Sequence, residues 1–226
     1  MKKVLFIFLS VAIISISCTK TDNLTVTLKQ SANLSATITD NTGKGIANTN
    51  VKLYDELGQG ILTQLKTDVN GNVNFGEVND GSYNLEVDSP KINNIKYNPS
   101  KLIQVISASP KNVVINVQDY VGTYNLTFTN TANNPGTVYA NLNAILVPVE
   151  IYNYNDLLAI QKSKAEFSGK ADADGKLSFT IPSDRYFELV VFENGNTNYS
   201  DLYEMSLSKG EIQNSFFDVN LSNFKK

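Results

Sequence analysis

The 226-residue chain has no histidine and a single cysteine, Cys18. Ser–His and Cys–His nucleophile pairs and histidine-ligated metals all require an imidazole, so those chemistries have no members here. No glycine-rich phosphate loop precedes a helical pattern. Carboxylates remain. A hydrolase working through two acids needs them about 5–9.5 Å apart across a cleft. The Asp and Glu residues are instead scattered over turns and outward strand positions. Asp68-x-Asn70-Gly71 and Asp172-x-Asp174-Gly175 look like fragments of a calcium loop. A full loop adds further oxygen ligands and a distal bidentate glutamate, whereas here a strand pattern resumes at Val73 and Leu177. A hairpin turn is the expectation for both. No catalytic residue, cofactor or metal ligand set is therefore expected.

Tyr and Phe number eleven each. Phe75, Phe179 and Phe187 fall at inward positions of the strand pattern and read as core. Tyr97, Tyr152, Tyr154 and Tyr199 fall in loops, where amphipathic tyrosine is common in binding surfaces. They are candidates for contact with a protein or glycan, or simply scattered surface tyrosines. The net charge of −3, with no basic run, argues against nucleic acid, where phosphate neutralisation dominates affinity.

The N-terminus carries its own signal. Met1-Lys2-Lys3 is positive, and Val4 to Ile16 is apolar apart from Ser10 and Ser15. The run is shorter than the roughly 20 residues a spanning helix needs and suits a signal peptide, residues 1–17. Ser15-Ile16-Ser17-Cys18 resembles the lipobox of bacterial lipoproteins, with serine at Ser15 where that family usually has leucine. The resemblance implies a Cys18 sulfur joined to diacylglycerol and cleavage before it, leaving an exported chain held on a membrane, with the outer membrane expected. Each buried methylene of such an anchor adds about 0.8 kcal/mol. Residues 18–23 then form the lipidated cysteine and a tether. Thr19-Lys20-Thr21-Asp22 also resembles the surface-export signal of Bacteroidota lipoproteins, which leaves the surface and the periplasmic face both open.

These features have to be carried by strands. Leu34, Ala36 and Ile38 alternate with polar residues, as do Val51 and Leu53, Val73 and Phe75, Tyr83, Leu85 and Val87, and Val113, Ile115 and Val117. Period-two alternation puts one face of a strand into a core. Asp40-Asn41-Thr42-Gly43 and Asn70-Gly71 read as hairpin turns, because Asn and Gly tolerate positive φ. Many short strands with regular turns predict a sandwich or barrel. Asp88 to Pro110 reads as a long loop and an edge strand.

The pattern then repeats. Asp68 to Phe75 matches Asp172 to Phe179, and Tyr83 to Val87 matches Phe187 to Val191, at one constant offset. Val51-Lys52-Leu53-Tyr54 pairs with Val149-Glu150-Ile151-Tyr152 at a shorter offset. That places about six extra residues in the second copy near Asn155 to Ile160, with Asn155 capping a short helical turn. The expected architecture is all-β: two tandem Greek-key, immunoglobulin-like or transthyretin-like sandwiches, residues 24–118 and 119–226, each of ordinary domain size.

Leu34 to Asp40, Gly43-Lys44-Gly45-Ile46, Asn50 to Leu53, Thr67 to Gly71 and Gly81 to Leu85 together resemble carboxypeptidase regulatory-like domains and collagen-adhesin B-type repeats. The resemblance implies a seven-stranded transthyretin-like sandwich. Some adhesin repeats carry an internal Lys–Asn isopeptide bond, but the first strand here has no lysine and Val87 stands where the family has its acid. Glu86 would face the other way, so no isopeptide is expected. The functional expectation is a non-catalytic, lipid-anchored envelope protein, either a spacer or a binding module for a protein or glycan. The alternatives are an accessory lipoprotein of a nutrient-uptake system and a carboxylate hydrolase.

Overall fold

The computed structural model describes residues 30–130 and 137–220. The signal segment 1–17, Cys18, the tether 19–23 and the expected first residues of the first sandwich lie outside the described residues. No described helix is long and apolar enough to cross a membrane.

The fold is all-β. The first half begins with β1 (Ser31–Thr39), β2 (Asn50–Tyr54), β3 (Ile61–Lys66), β4 (Asn72–Asn79) and β5 (Gly81–Val87). A small hairpin follows, β6 (Lys91–Ile92) and β7 (Ile95–Lys96), then β8 (Ser100–Val105) and β9 (Lys111–Asn116). One sheet has the order β4-β1-β9 and the other β3-β2-β5-β8. Their inner faces meet in one core that includes Leu34, Ile38, Leu53, Leu85 and Ile115. β8 is the edge strand expected within residues 88–110.

A 3-10 turn, Val117–Asp119, leads into the second half: β10 (Val121–Thr129), β11 (Asn143–Pro148), helix α1 (Leu158–Lys164), β12 (Phe167–Lys170), β13 (Lys176–Pro182), β14 (Phe187–Phe192), β15 (Tyr199–Met205) and β16 (Ile212–Asp218). The sheet orders β13-β10-β16 and β12-β11-β14-β15 repeat those of the first half strand for strand. In each copy the first long strand pairs antiparallel with the fourth and parallel with the last. A second core gathers Tyr124, Phe128, Leu146, Phe187 and Leu189. Tyr120 and Val121 still pack with the first core.

Two expectations need correction. Asp40–Gly43 closes only the single antiparallel bridge Thr39–Gly45, and neither it nor Asn70-Gly71 joins two paired strands, because β1 does not pair with β2 nor β3 with β4. Each carries the chain from one sheet to the other. The turn chemistry is as read: Gly43 has φ +82° and Gly71 φ +79°, and Asp68 Oδ1 accepts from the N–H groups of Asn70 and Asn72, both at 2.8 Å. Asp172 does the same for Asp174 and Lys176, at 2.9 and 2.8 Å. The corner packs on β1, where Ile38 N donates to Gly71 O and Ile46 N to Ile38 O. A Cβ on Gly71 would lie 2.3 Å from Ile38 O, and one on Gly175 2.6 Å from Phe128 O. Each acidic turn thus spends one oxygen of its first aspartate on its own backbone. Among the described residues no group of three potential ligands converges to hold a metal.

The second correction concerns the repeat. Pairing with the fifth strand of each copy puts Val51 opposite Val87 and Ala144 opposite Val191. Ala144 and Leu146 therefore hold the places of Val51 and Leu53, and Val149–Tyr152 lies in the turn that follows. Val51 and Ala144 are 93 positions apart, but their neighbours Leu65 and Gly169 are 104 apart, so the second copy carries eleven extra residues. The insertion contains α1. Its N-cap is Leu157, with no side-chain cap, and not Asn155. The helix covers the outer face of β11 and β14, burying Ile145, Val147, Val190 and Phe192 with Leu158. A sheet covered on both sides requires strands apolar on both faces, which accounts for the unbroken run Leu189–Phe192.

Gly71→Ala and Gly175→Ala combine a positive φ with a backbone collision, so each is expected to destabilise by about 2 kcal/mol or more, measured by denaturant titration. The Thr42 hydroxyl and the backbone donors of Thr42 and Lys44 hold the Asp40 carboxyl below its ordinary value, and the N–H of Asn72, then that of Asn70, does so for Asp68. For a lowered carboxyl the stabilisation is present above the unfolded pKa and is lost as pH falls through the folded one. The wild type should therefore lose stability below about pH 4, and Asp68→Asn should flatten that acid limb.

Candidate functional site at the junction of the sandwiches

The sites that chain chemistry singled out are dispersed by the fold. Tyr97 is 7% exposed and belongs to the first core, where burial pushes its hydroxyl pKa up. Tyr199 is buried, and its hydroxyl donates to the carbonyls of Tyr154 and Asp156. Tyr152 donates to Asp201 at 2.7 Å; burial first, then that carboxylate, raise its pKa well above the usual phenol range. These two tyrosines clamp the inserted segment, together with Gln161 Nε2 on Asn153 O at 2.7 Å. Of the four loop tyrosines only Tyr154 is exposed. Inward placement holds for Phe179 and Phe187, which are buried, while Phe75 is partly buried against the first core.

What the fold does bring together is charge at the junction. The β6–β7 hairpin turns on Asn93 and Asn94, at φ +52° and +67°, conformations that Asn tolerates better than most residues. It presents Lys96, Tyr97 and Asn98 to the second sandwich. The loop from β13 to β14 meets it, with Asp184 at φ +57°. Ser183 N donates to Tyr120 O and Asp184 N to Leu207 O, at 2.9 and 2.8 Å. That places Arg185, whose side chain is 5% exposed, between the two halves.

Arg185 is the sole arginine in the chain. Nη1 donates to Lys96 O of the first sandwich at 2.9 Å and to Glu166 Oε2 at 2.6 Å. Nη2 donates to Glu166 Oε1 at 3.2 Å and Glu150 Oε1 at 3.1 Å. The guanidinium also lies over the Phe187 ring, 4.8 Å from its centroid. Asn98 Nδ2 donates to Asp184 O at 3.1 Å, and Lys96 sits 3.9 Å from Glu150. A planar guanidinium fork can serve a bidentate carboxylate and a carbonyl at once, which a lysine ammonium cannot.

The cleft beside this cluster has a volume of about 430 Å³ and is bounded by Ser89, Asn98, Glu150, Tyr186 and Glu204. A second hollow, about 490 Å³, continues past Ser100 to Glu86 and Asp88. Lys52 bridges those two acids at 3.2 and 3.7 Å, and the Glu86 contact above all raises its pKa. Glu86 thus faces outward as expected. The carboxylates that converge do so on a cation, Glu150 and Glu166 on Arg185, Glu86 and Asp88 on Lys52. An acid–base pair needs one carboxyl free to gain and lose a proton, so these contacts are structural. Sequence reading passed over Arg185; its being unique, at a turn feeding an apolar strand, was the available signal.

Removing one partner of a buried ion pair leaves an uncompensated charge, at a cost of about 3–5 kcal/mol. Arg185→Ala is expected to lower stability by that order in denaturant titration and to broaden the particle dimensions seen by small-angle X-ray scattering. Arg185→Lys should not restore either.

No family model and no curated protein matches the chain. Among solved structures it is similar to the Bacillus anthracis TIE protein, with 14% identity, TM-score 0.38, and coverage of 84% of this chain and 34% of that one. It is also similar to the minor pilin of Streptococcus agalactiae, with 11% identity, TM-score 0.36, and coverage of 83% and 94%. A third likeness is to the major pilin subunit of Bacillus cereus, with 9% identity, TM-score 0.32, and coverage of 84% and 99%. At these identities and TM-scores the likenesses carry no functional assignment to this chain.

Proposed function

We propose that the chain is a non-catalytic cell-envelope protein, exported through the segment 1–17 and anchored by lipid on Cys18. It holds two sandwiches in fixed relation so that the second is displayed away from the membrane to a protein or glycan partner. The observation that carries this reading is the junction at Arg185, because spacers and display modules need a stiff connection and here Arg185 donates to Lys96 O and Asn98 to Asp184 O across the two halves. The lipobox-like run ending at Cys18 and the absence of histidine support it. The Bacteroidota-type origin, the outer-membrane address and the division at residue 119 belong to the same proposal. A role as accessory lipoprotein of a nutrient-uptake system is compatible with this architecture, and a neighbouring transporter gene would distinguish it.

The test combines mass spectrometry of the N-terminal peptide with protease treatment of intact cells. Acylated Cys18 and digestion of the protein are expected for surface display. Acylation with protection would place it on the periplasmic face. An unmodified Cys18, or a Cys18→Ala variant that stays with the membrane fraction, would overturn the anchor.

A further inference from the structure

The outer face of the β13-β10-β16 sheet has no covering layer, and its side chains form rows in register. Ser178, Asn125 and Asn214 stand side by side across the three strands. Ser178 Oγ donates to Asn125 Oδ1 at 2.9 Å, and Asn125 Nδ2 to Asn214 Oδ1 at 3.0 Å. The next row is Lys176, Thr127 and Phe216. Phe216 is 77% exposed, and lies two residues beyond Asn214 on the same face of β16, since side chains alternate. A depression of about 350 Å³ opens over Asn125, Thr127, Ser178 and Asn214.

The first sandwich repeats the layout. Asn74, Ser35 and Asn112 form the matching row, and Asn72, Thr37 and Val114 the next. Ser35 Oγ donates to Asn112 Oδ1 at 3.2 Å and Thr37 Oγ1 to Asn72 Oδ1 at 3.0 Å. Val114, 55% exposed, stands where the second copy has Phe216. The shared feature is a neutral ladder of amides and hydroxyls, and the difference is an aromatic ring.

We propose that the outer face of β13-β10-β16 binds a neutral polysaccharide, with Phe216 as the platform for a sugar ring and Asn125, Asn214, Thr127 and Ser178 as its hydrogen-bonding partners. Sugar hydroxyls donate and accept at the same atom, and side-chain amides and hydroxyls match that dual capacity. Asn214 keeps its amide N–H groups for a ligand, since within the described chain it uses only its oxygen. The apolar C–H face of a pyranose packs on an exposed ring, whose surface otherwise gains nothing from burial. A nucleic acid would require a cationic groove, but the rows hold one lysine, Lys176, with Asp172 beside the same depression. A protein interface would place apolar residues at its centre and polar ones at its rim, and here amides occupy the centre. This site deepens the display role proposed above and rests on it.

The test uses full-length protein in non-ionic detergent, run through native gels cast with laminarin, xyloglucan or galactomannan, and with polygalacturonate as the anionic comparison. Retardation by at least one neutral polysaccharide is expected. Phe216→Ala should weaken it about tenfold, Asn125→Ala should weaken it too, and Val114→Ala should leave it unchanged. Should Phe216→Ala melt lower than wild type, Phe216→Leu takes its place, keeping apolar bulk without the ring. Retardation by none of the neutral polysaccharides, by polygalacturonate alone, or equally by wild type and the Phe216 variants overturns the site. Cys18→Ala separates the two readings: it should abolish anchoring and keep retardation, whereas the Phe216 variants should stay anchored.

Discussion

A guanidinium placed out of reach of water must have its charge balanced and its N–H donors met by the chain itself. Arg185 meets that demand with acceptors from both halves, the carbonyl of Lys96 from the first and the carboxylates of Glu166 and Glu150 from the second. The bond to Lys96 requires the β6–β7 hairpin to lie against the β13–β14 loop. Because the side chain is 5% exposed, separating the halves would expose the guanidinium to water and break its bond to Lys96 O, along with that of Asn98 to Asp184 O, while its pairs with Glu166 and Glu150 stay within the second half. The junction is therefore a connection with a preferred geometry, unlike a pair of beads on a string. Tyr120 in the first core and Ser183 N on Tyr120 O tighten the same joint.

Each sandwich depends in turn on its first strand. β1 and β10 sit at the centre of their three-stranded sheets, antiparallel to one neighbour and parallel to the other. Ile38 and Phe128 each donate a main-chain bond to the glycine corner, at Gly71 O and Gly175 O, and each accepts one from the connection that follows its own strand, from Ile46 N and Tyr139 N. The close approach leaves no room for a Cβ on Gly71 or Gly175. Two otherwise divergent sequences thus share one corner, because it requires an aspartate to accept its backbone N–H groups and a glycine where the backbones touch.

Divergence is concentrated where the topology allows it. The eleven-residue insertion after β11 adds α1 and buries the second face of one sheet, so that half of the second sandwich has a helix–sheet layer the first lacks. Its opposite sheet stays open and keeps the neutral ladder, with Phe216 in place of Val114. One outer face has been given over to packing and the other left available for a ligand.

The sequence alone determined that the chain is all-β, that it is duplicated, and which side chains are buried: Leu34, Ile38, Leu53, Leu85 and Ile115 alternate at period two, and a strand's alternation reports its two faces directly. It also determined that no imidazole chemistry is available. It could not determine partners. Asn70-Gly71 looked like a hairpin because a tight turn has the same residues whether the next strand pairs with the last one or crosses to another sheet. Val51-Lys52-Leu53-Tyr54 resembles Val149–Tyr152 more than its structural counterpart at Ala144, because β11 is buried on both faces and there alternation disappears. Tyr97 lies in a loop and Tyr199 opens β15, yet both are buried, since other segments fold over them. Arg185 took its role from groups far along the chain, Lys96, Glu150 and Glu166, and the exposed ladder around Phe216 from three strands brought into register. Both are properties of proximity, which only the tertiary structure decides.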